Sequence, residues 1–195
     1  MHATVLPRAF YQRDAREVAP ELLHKVLVHG HRAARIVEVE AYMGADDPGS
    51  HAYRGRTPRT EVMFGPPGHL YVYFSYGMHW CANAVCGDDG VAMAVLLRAG
   101  APVAGVEAMR EDRMAARTDR DLCSGPGKLC QALGIDKTHN GIDLVTSAPS
   151  GVHIVDDGVA PPTQLGTSRR IGLSAGADLA WRWYVPGDAN LSRRG

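Results

Sequence analysis

Between Ile36 and Arg98 the chain gathers one well-placed carboxylate, several aromatic rings and a tyrosine at a turn. Ile36-Val37-Glu38-Val39-Glu40-Ala41-Tyr42 comes first, His51 follows, and then Leu70-Tyr71-Val72-Tyr73-Phe74-Ser75-Tyr76-Gly77-Met78. Together these are what a pocket needs to stack a flat ring, test its edge and attack the bond beneath it, as an enzyme acting on a nucleobase must. Glu40 is the candidate general base, deprotonating water with the help of partial burial and a fixed hydrogen-bond partner. Arg98, which follows Val95-Leu96-Leu97, is the candidate for orienting Glu40 or its water. Tyr42, His51 and Tyr73 are candidates for a stacking slot, where one aromatic contact is worth about 1–3 kcal/mol. Facing π systems would attract a cationic ring further. Tyr76, directly before Gly77, fits a wedge that fills the gap left by an extruded base. Plainer roles match the same patterns: an exposed strand charge for Glu40, a strand-end ion pair for Arg98, half-buried packing for the tyrosines, a solvated loop for His51.

Regular elements must position these groups. Period-2 alternation makes Arg35 to Tyr42 a strand, with Val37 and Val39 on the core face and Glu38, Glu40 and Tyr42 opposite. Leu70 to Tyr76, His79 to Cys86 and Val91 to Arg98 read as an antiparallel meander turning at Gly77 and at Gly87-Asp88-Asp89-Gly90. Lys25 to Val28 is a further strand. Arg16 to His24 reads as a short helix with Pro20 near its first turn. Val103 to Arg117 reads as a longer helix with Val106, Met109 and Met114 facing inward. Ser124 to Gly134 is a Gly/Pro turn, a short helix and a glycine stop. Gly44 to Gly68 lacks periodicity and reads as a functional loop. This order predicts an α+β fold: a single compact domain over residues 1–195 with a mixed, largely antiparallel sheet and a protruding β-hairpin. Residues 1–8 and 193–195 are expected to be flexible.

Composition narrows the classes. At 195 residues and 45% hydrophobic content the chain can bury one good core. No apolar run approaches the roughly 20 residues of a membrane span, and the first residues lack a secretory apolar segment, so a cytoplasmic protein is expected. Basic and acidic residues balance at 21 each, which counts mildly against a nucleic-acid partner. Arginine supplies 18 of the 21 basic residues, leaving only Lys25, Lys128 and Lys137 as amines. Cys81, Cys86, Cys123 and Cys130 lack the spacing of a zinc ribbon and are expected to be reduced core residues, with no metal and no cofactor. Ser124 to Lys128 superficially looks like a phosphate loop, but Leu129 stands where such a loop needs Ser or Thr. A helix N-terminus with one lysine still suits a DNA phosphate.

Taken together, Val37-Glu38-Val39-Glu40-Ala41-Tyr42, Arg56-Thr57-Pro58-Arg59, Met63-Phe64, Tyr71-Val72-Tyr73, Tyr76-Gly77-Met78, Val95-Leu96-Leu97-Arg98-Ala99 and Leu122-Cys123-Ser124-Gly125-Pro126 resemble the alkyladenine (3-methyladenine) DNA glycosylase family. The resemblance runs from about residue 9 to 192. It implies a fold like that of formyltransferase C-terminal domains and a monofunctional, base-flipping hydrolase of damaged purines in double-stranded DNA, acting as a monomer. In that resemblance Glu40 is the base that activates water and Arg98 helps hold the water. Tyr42, His51 and Tyr73 wall the base pocket, and Asn83 disfavours guanine through its exocyclic amine. Tyr76 replaces the flipped nucleotide, while Arg56, Thr57, Met78, Lys128 and Arg110 fall in stretches resembling DNA contacts. The chain departs from the vertebrate pattern at Val39, in place of a threonine beside the base, and at His79, in place of a tyrosine. The loop after His51 is one residue shorter, which leaves the substrate range open. A catalytically silent lesion- or nucleic-acid-binding module is the alternative from another class. A metal-dependent hydrolase using His51, His69, His79 and Cys81 is a weaker third, because their spacing is irregular.

Overall fold

The computed structural model describes residues 3–193. Among them nine strands build one sheet: β1 (Thr4–Val5), β2 (Val26–His29), β3 (Arg32–Tyr42), β4 (Leu70–Ser75), β5 (His79–Cys86), β6 (Met93–Ala104), β7 (His153–Asp156), β8 (Gly166–Ser168) and β9 (Arg182–Tyr184). The main path runs β1-β7-β2-β3-β6-β5-β4, with β9 also on β3 and β8 on β9. Every described pair of strands is antiparallel, so the sheet is not mixed as expected. Hairpins or short turns join β2 to β3, β4 to β5 and β5 to β6, whereas β3 and β6, and β2 and β7, become neighbours through long connections. The helices are α1 (Arg8–Tyr11), α2 (Ala15–Leu22), α3 (Val106–Asp112) and α4 (Pro126–Leu133).

One face of the sheet carries the main core. Leu70, Val72, Ala82, Ala84, Val95 and Leu97 alternate onto it from β4, β5 and β6, and meet Val18, Leu22, Leu129 and Leu133 from α2 and α4. Full burial of each Leu or Val is worth about 1.5–3 kcal/mol, so this face decides the strand register. The intervening residues therefore point to the other side, where Tyr71, Val85, Ala94, Ala52 and Met63 form a second cluster with Tyr73 against it. The tyrosines of β4 thus stand on the face opposite the main core, as the alternation predicts.

β3 departs from simple alternation. Ile36 pairs with Gly100, Glu38 with Ala99 and Val39 with Leu97, so the ladder skips Val37 on one strand and Arg98 on the other. Such bulges reverse the facing of the residues beyond them. Ile36 accordingly shares the main core with Val39 and Ala41, while Val37 is not part of that cluster. The sequence places Val37 and Val39 together; the bulge separates them. Glu38 and Glu40 remain on the opposite face but are fully buried, because the Ile171 and Ser192 segments bond their carboxylates and Arg182 of β9 reaches Glu38.

Other boundaries differ for local reasons. The first residues are not a loose end: β1 pairs with β7, and the Arg8 guanidinium holds Asp143 at 2.6 Å. Residues 1–2 and 194–195 of the expected flexible ends lie outside the described residues. α2 starts at Asp14, whose carboxylate accepts the Arg16 N–H at 2.8 Å, and Pro20 falls in its second turn. The missing N–H there helps end the helix two residues later. Residues 103–117 do not form one helix. β6 continues through Ala104, where Ala33 pairs with it, Gly105 turns at φ +67°, and α3 holds only seven residues. Met109 is buried, but Met114 lies beyond the helix in solvent. α4 has Pro126 in its first turn and Gly134 at φ +68° past its end, as read from the sequence.

Candidate active site

A cavity of about 480 Å³ opens on the face opposite the main core. Tyr71, Tyr73 and Ser75 of β4, Cys81 and Asn83 of β5, and Leu96 and Arg98 of β6 line its floor. These are alternate residues of three adjacent strands, which is how a sheet builds one wall. Tyr42 from the end of β3, His51 and Arg59 from the long loop, Tyr76 from the hairpin tip and Ile171-Gly172 are among the residues of its other walls. Sequence reading names Tyr42, His51, Tyr73, Asn83, Tyr76 and Arg98, and all six meet here. It gives no base-pocket role to Tyr71, Cys81, Arg59 or the 171–172 segment.

The aromatic groups are organised. Tyr71 and Tyr73 stack with centroids 5.5 Å apart, and His51 meets Tyr73 edge-on at 4.5 Å. His51 Nδ1 and the Tyr71 hydroxyl lie 3.1 Å apart. Burial against these rings and the neighbouring Arg59 cation lower the His51 pKa to about 4, so its imidazole is neutral at pH 7. Asn83 Nδ2 donates to the Tyr71 carbonyl at 3.1 Å, which pins the amide in the floor. Tyr42 is braced from behind by Arg170, whose guanidinium lies 4.6 Å from its ring centroid. Asp47 holds that guanidinium in a fully buried pair with contacts of 2.5 and 2.6 Å.

Glu40 sits immediately behind the cavity. It is not itself among the lining residues, but three groups that bond its carboxylate carry residues that are. Oε2 accepts from the Tyr42 hydroxyl at 3.0 Å and from Arg98 Nη1 at 3.2 Å, and Oε1 accepts the Ile171 N–H at 2.8 Å. A carboxylate oxygen accepts two bonds readily, so the remaining site is on Oε1. Burial raises the Glu40 pKa, opposed by Arg98 and by the Ile171 and Tyr42 bonds. The plain reading of Glu40 as an exposed strand charge is therefore wrong: it is buried and fully oriented.

Arg98 is 6% exposed and lies mid-strand in β6, not at a strand end. Its Nε donates to Glu38 Oε1 at 2.9 Å, so it bridges two carboxylates. Glu38 further accepts from Arg182 Nε at 2.9 Å, Ser192 N at 2.7 Å and Ser192 Oγ at 2.6 Å. Burial alone would raise Glu38; the Arg182, Arg98 and Ser192 partners outweigh it and hold the carboxyl below the usual range. The two carboxylates of β3 are thus driven in opposite directions by their surroundings. Sequence reading passes over Glu38. Its signal was present, since a second acid two residues away on the same buried strand face needs a cation.

The hairpin tip is strained and open. Tyr76 has φ +51° and Gly77 φ +66°, with the Met78 N–H donating to the Ser75 carbonyl at 3.1 Å. Two successive positive φ values suit Gly at the second position but cost a tyrosine at the first. Tyr76 is 80% exposed, its hydroxyl donating to the Gly172 carbonyl at 3.2 Å, and Met78 beside it is also exposed. Arg56 lies over the Phe64 ring, Thr57 bonds Thr60, and Lys128 Nζ donates to Ser124 Oγ at 3.1 Å. Arg110 is engaged by both Asp119 and Glu107. His79 packs so closely on α4 that a Cβ at Gly127 would lie 2.7 Å from it. Val39 faces the main core, away from the cavity. The four cysteines are free and buried. Among the described residues no three His, Cys, Asp or Glu side chains gather as a metal site, and no helix is long and apolar enough to cross a membrane.

Comparison with known proteins identifies the family. The chain matches the family described as methylpurine-DNA glycosylase over residues 9–189. A Burkholderia cenocepacia protein is 57% identical over 97% of this chain and 91% of its own length. A Streptomyces avermitilis protein is 46% identical over 97% and 91%, and a Chlorobaculum tepidum protein 47% over 94% and 88%. All three carry the provisional name 3-methyladenine DNA glycosylase. The α+β fold with its aromatic cavity is therefore that of a DNA glycosylase, a hydrolase of N-glycosyl bonds. Within that class, the chain belongs to the methylpurine-DNA glycosylase family.

Proposed function

We propose that the protein flips a damaged purine out of duplex DNA into the aromatic cavity and hydrolyses its glycosidic bond with water activated by Glu40. The observation that carries this reading is the buried Glu40 carboxylate, oriented by Tyr42, Arg98 and Ile171 directly behind that cavity. Unpairing and unstacking a nucleotide costs a few kcal/mol, least for a damaged or mispaired base. Tyr76 offsets this by filling the vacated step, with Arg56, Thr57, Met78, Lys128 and Arg110 as backbone or groove contacts. Since Arg110 is already ion-paired, its contribution requires exchange of Asp119 or Glu107 for a phosphate.

In the cavity Tyr42, Tyr73 and neutral His51 hold the purine, and Asn83 disfavours guanine through its exocyclic amine. Alkylation at N3 or N7 makes the purine cationic, so the base departs with the bonding electrons and the sugar gains oxocarbenium character. Water bound at the free site of Glu40 Oε1 adds to the anomeric carbon while its proton passes to the carboxylate. Arg98 holds Glu40 and that water. No lysine lines the cavity among the described residues, which supports hydrolysis without an amine adduct. Glu40→Gln should bind lesion DNA with near wild-type affinity and lose excision by about 10²–10⁴-fold, the usual worth of a general base. Single-turnover excision on a duplex with one methylated or deaminated purine is the assay. Wild-type excision by the variant would remove Glu40 from the mechanism; absence of base release from the unaltered protein on every lesion would favour the silent binding module.

A further inference from the structure

We infer that Glu38 is a positioning residue for this reaction: clamped by Arg182 and Ser192, it fixes Arg98 so that the guanidinium presents Nη1 to Glu40. The inference rests on the Glu40 reading and extends it to a second, buried carboxylate. Glu38 is fully buried, does not line the cavity and touches no reacting atom, so it acts through Arg98 alone. Its four donors leave little freedom. Arg98 Nε and Arg182 Nε share Oε1 at 2.9 Å each, Ser192 Oγ joins them at 2.6 Å, and Ser192 N takes Oε2 at 2.7 Å. Arg98 Nη2 closes the ring by donating to Ser192 Oγ at 3.3 Å. A guanidinium held through Nε and Nη2 has its plane fixed, and the remaining Nη1 can only point where Glu40 Oε2 lies.

The arrangement also sets charge. Two carboxylates and two guanidiniums make the buried cluster neutral, with the Tyr42 hydroxyl and the Ile171 N–H as the other groups facing Glu40. Burial chiefly raises the Glu40 pKa and Arg98 opposes it, the Glu38 anion adding only a minor push upward. Replacing Glu38 by a neutral isostere releases the Arg98 guanidinium from its grip through Nε, so Nη1 is no longer held on Glu40. Arg98 lowers the Glu40 pKa more than Glu38 raises it, so the freed Glu40 then ionises at higher pH.

The test is single-turnover excision against pH for Glu38→Gln, with Glu40→Gln alongside and melting followed by circular dichroism. Expected are a maximal rate at least tenfold below wild type and an acid limb displaced to higher pH, with lesion-DNA affinity unchanged. A folded Glu38→Gln protein whose acid limb stays at the wild-type position, whatever its rate, overturns the assignment. If that variant does not fold, Ser192→Ala decides: it should lower the rate several-fold without loss of binding, and a rate within twofold of wild type overturns the assignment. The Glu40→Gln control separates the two readings. Its full activity would sink the Glu40 mechanism, whereas its inactivity beside an unshifted Glu38→Gln profile would sink only the role of Glu38.

Discussion

Asp47→Asn removes one negative charge from the pair that braces Tyr42 and changes almost nothing else. Asp47 and Arg170 are fully buried, with two contacts of 2.5 and 2.6 Å. Arg170 also donates to the Ala41 carbonyl at 3.0 Å and lies 5.2 Å from the Trp181 ring centroid, so it cannot swing into solvent without dismantling the wall. Its Nε is already without a hydrogen-bond partner, so the guanidinium depends heavily on this carboxylate. Breaking a buried pair from one side typically costs about 3–5 kcal/mol because the other charge stays stranded. For a chain of this size, about 2–4 °C per kcal/mol translates that into a melting temperature about 6–20 °C lower. Against a total stability of about 5–15 kcal/mol the loss is severe but need not unfold the protein. Thermal unfolding by circular dichroism is the assay. The double variant Asp47→Asn/Arg170→Met should regain at least half of the loss, since no buried charge then remains. A single-variant shift below about 3 °C, or a double variant less stable than the single, would refute the reasoning from a stranded charge.

Further outcomes follow from the same geometry. Because burial raises Glu40 and its charged form is the active one, excision should fall as pH drops through a value above the ordinary carboxylate range, and a pH–rate profile locates that limb. The same shift means that ionised Glu40 opposes folding. Stability linked to its proton is present below the unfolded-state pKa and lost as pH rises through the folded-state one, so Glu40→Gln should melt above wild type at neutral pH. Tyr76→Ala should weaken binding to lesion duplex by the worth of one aromatic–base contact, about 1–3 kcal/mol or roughly 5- to 150-fold, measured by fluorescence anisotropy. Lys128→Ala should reduce the slope of log affinity against log salt by about one, the signature of one lost phosphate contact.

The cavity was legible where strand alternation is regular. Leu70, Val72, Val95 and Leu97 betray the core face, and their neighbours Tyr73, Asn83 and Arg98 necessarily share the other. The carboxylate system was only half legible. Alternation put Glu38 and Glu40 on one face, yet gave no sign that the segments around Ile171, Arg182 and Ser192 would close over it. Arg182 and Ser192 lie 144 and 154 residues beyond Glu38, and Arg170 lies 123 beyond Asp47, so these pairings arise from tertiary closure alone. The bulges at Val37 and Arg98 were illegible for a related reason, since they are imposed by pairing and not by local propensity. The helix read over residues 103–117 failed because β3 offers β6 further partners, and strand pairing outweighed the helical spacing.

The late arrival of the Glu38 clamp bears on how the molecule matures. A nascent chain that has already threaded β3 and β6 holds two acids around one arginine, with the counterweights still unsynthesised. Closure of that knot waits for the segment carrying Arg182 and Ser192 to fold back onto β3, so until then the two acids share a single cation.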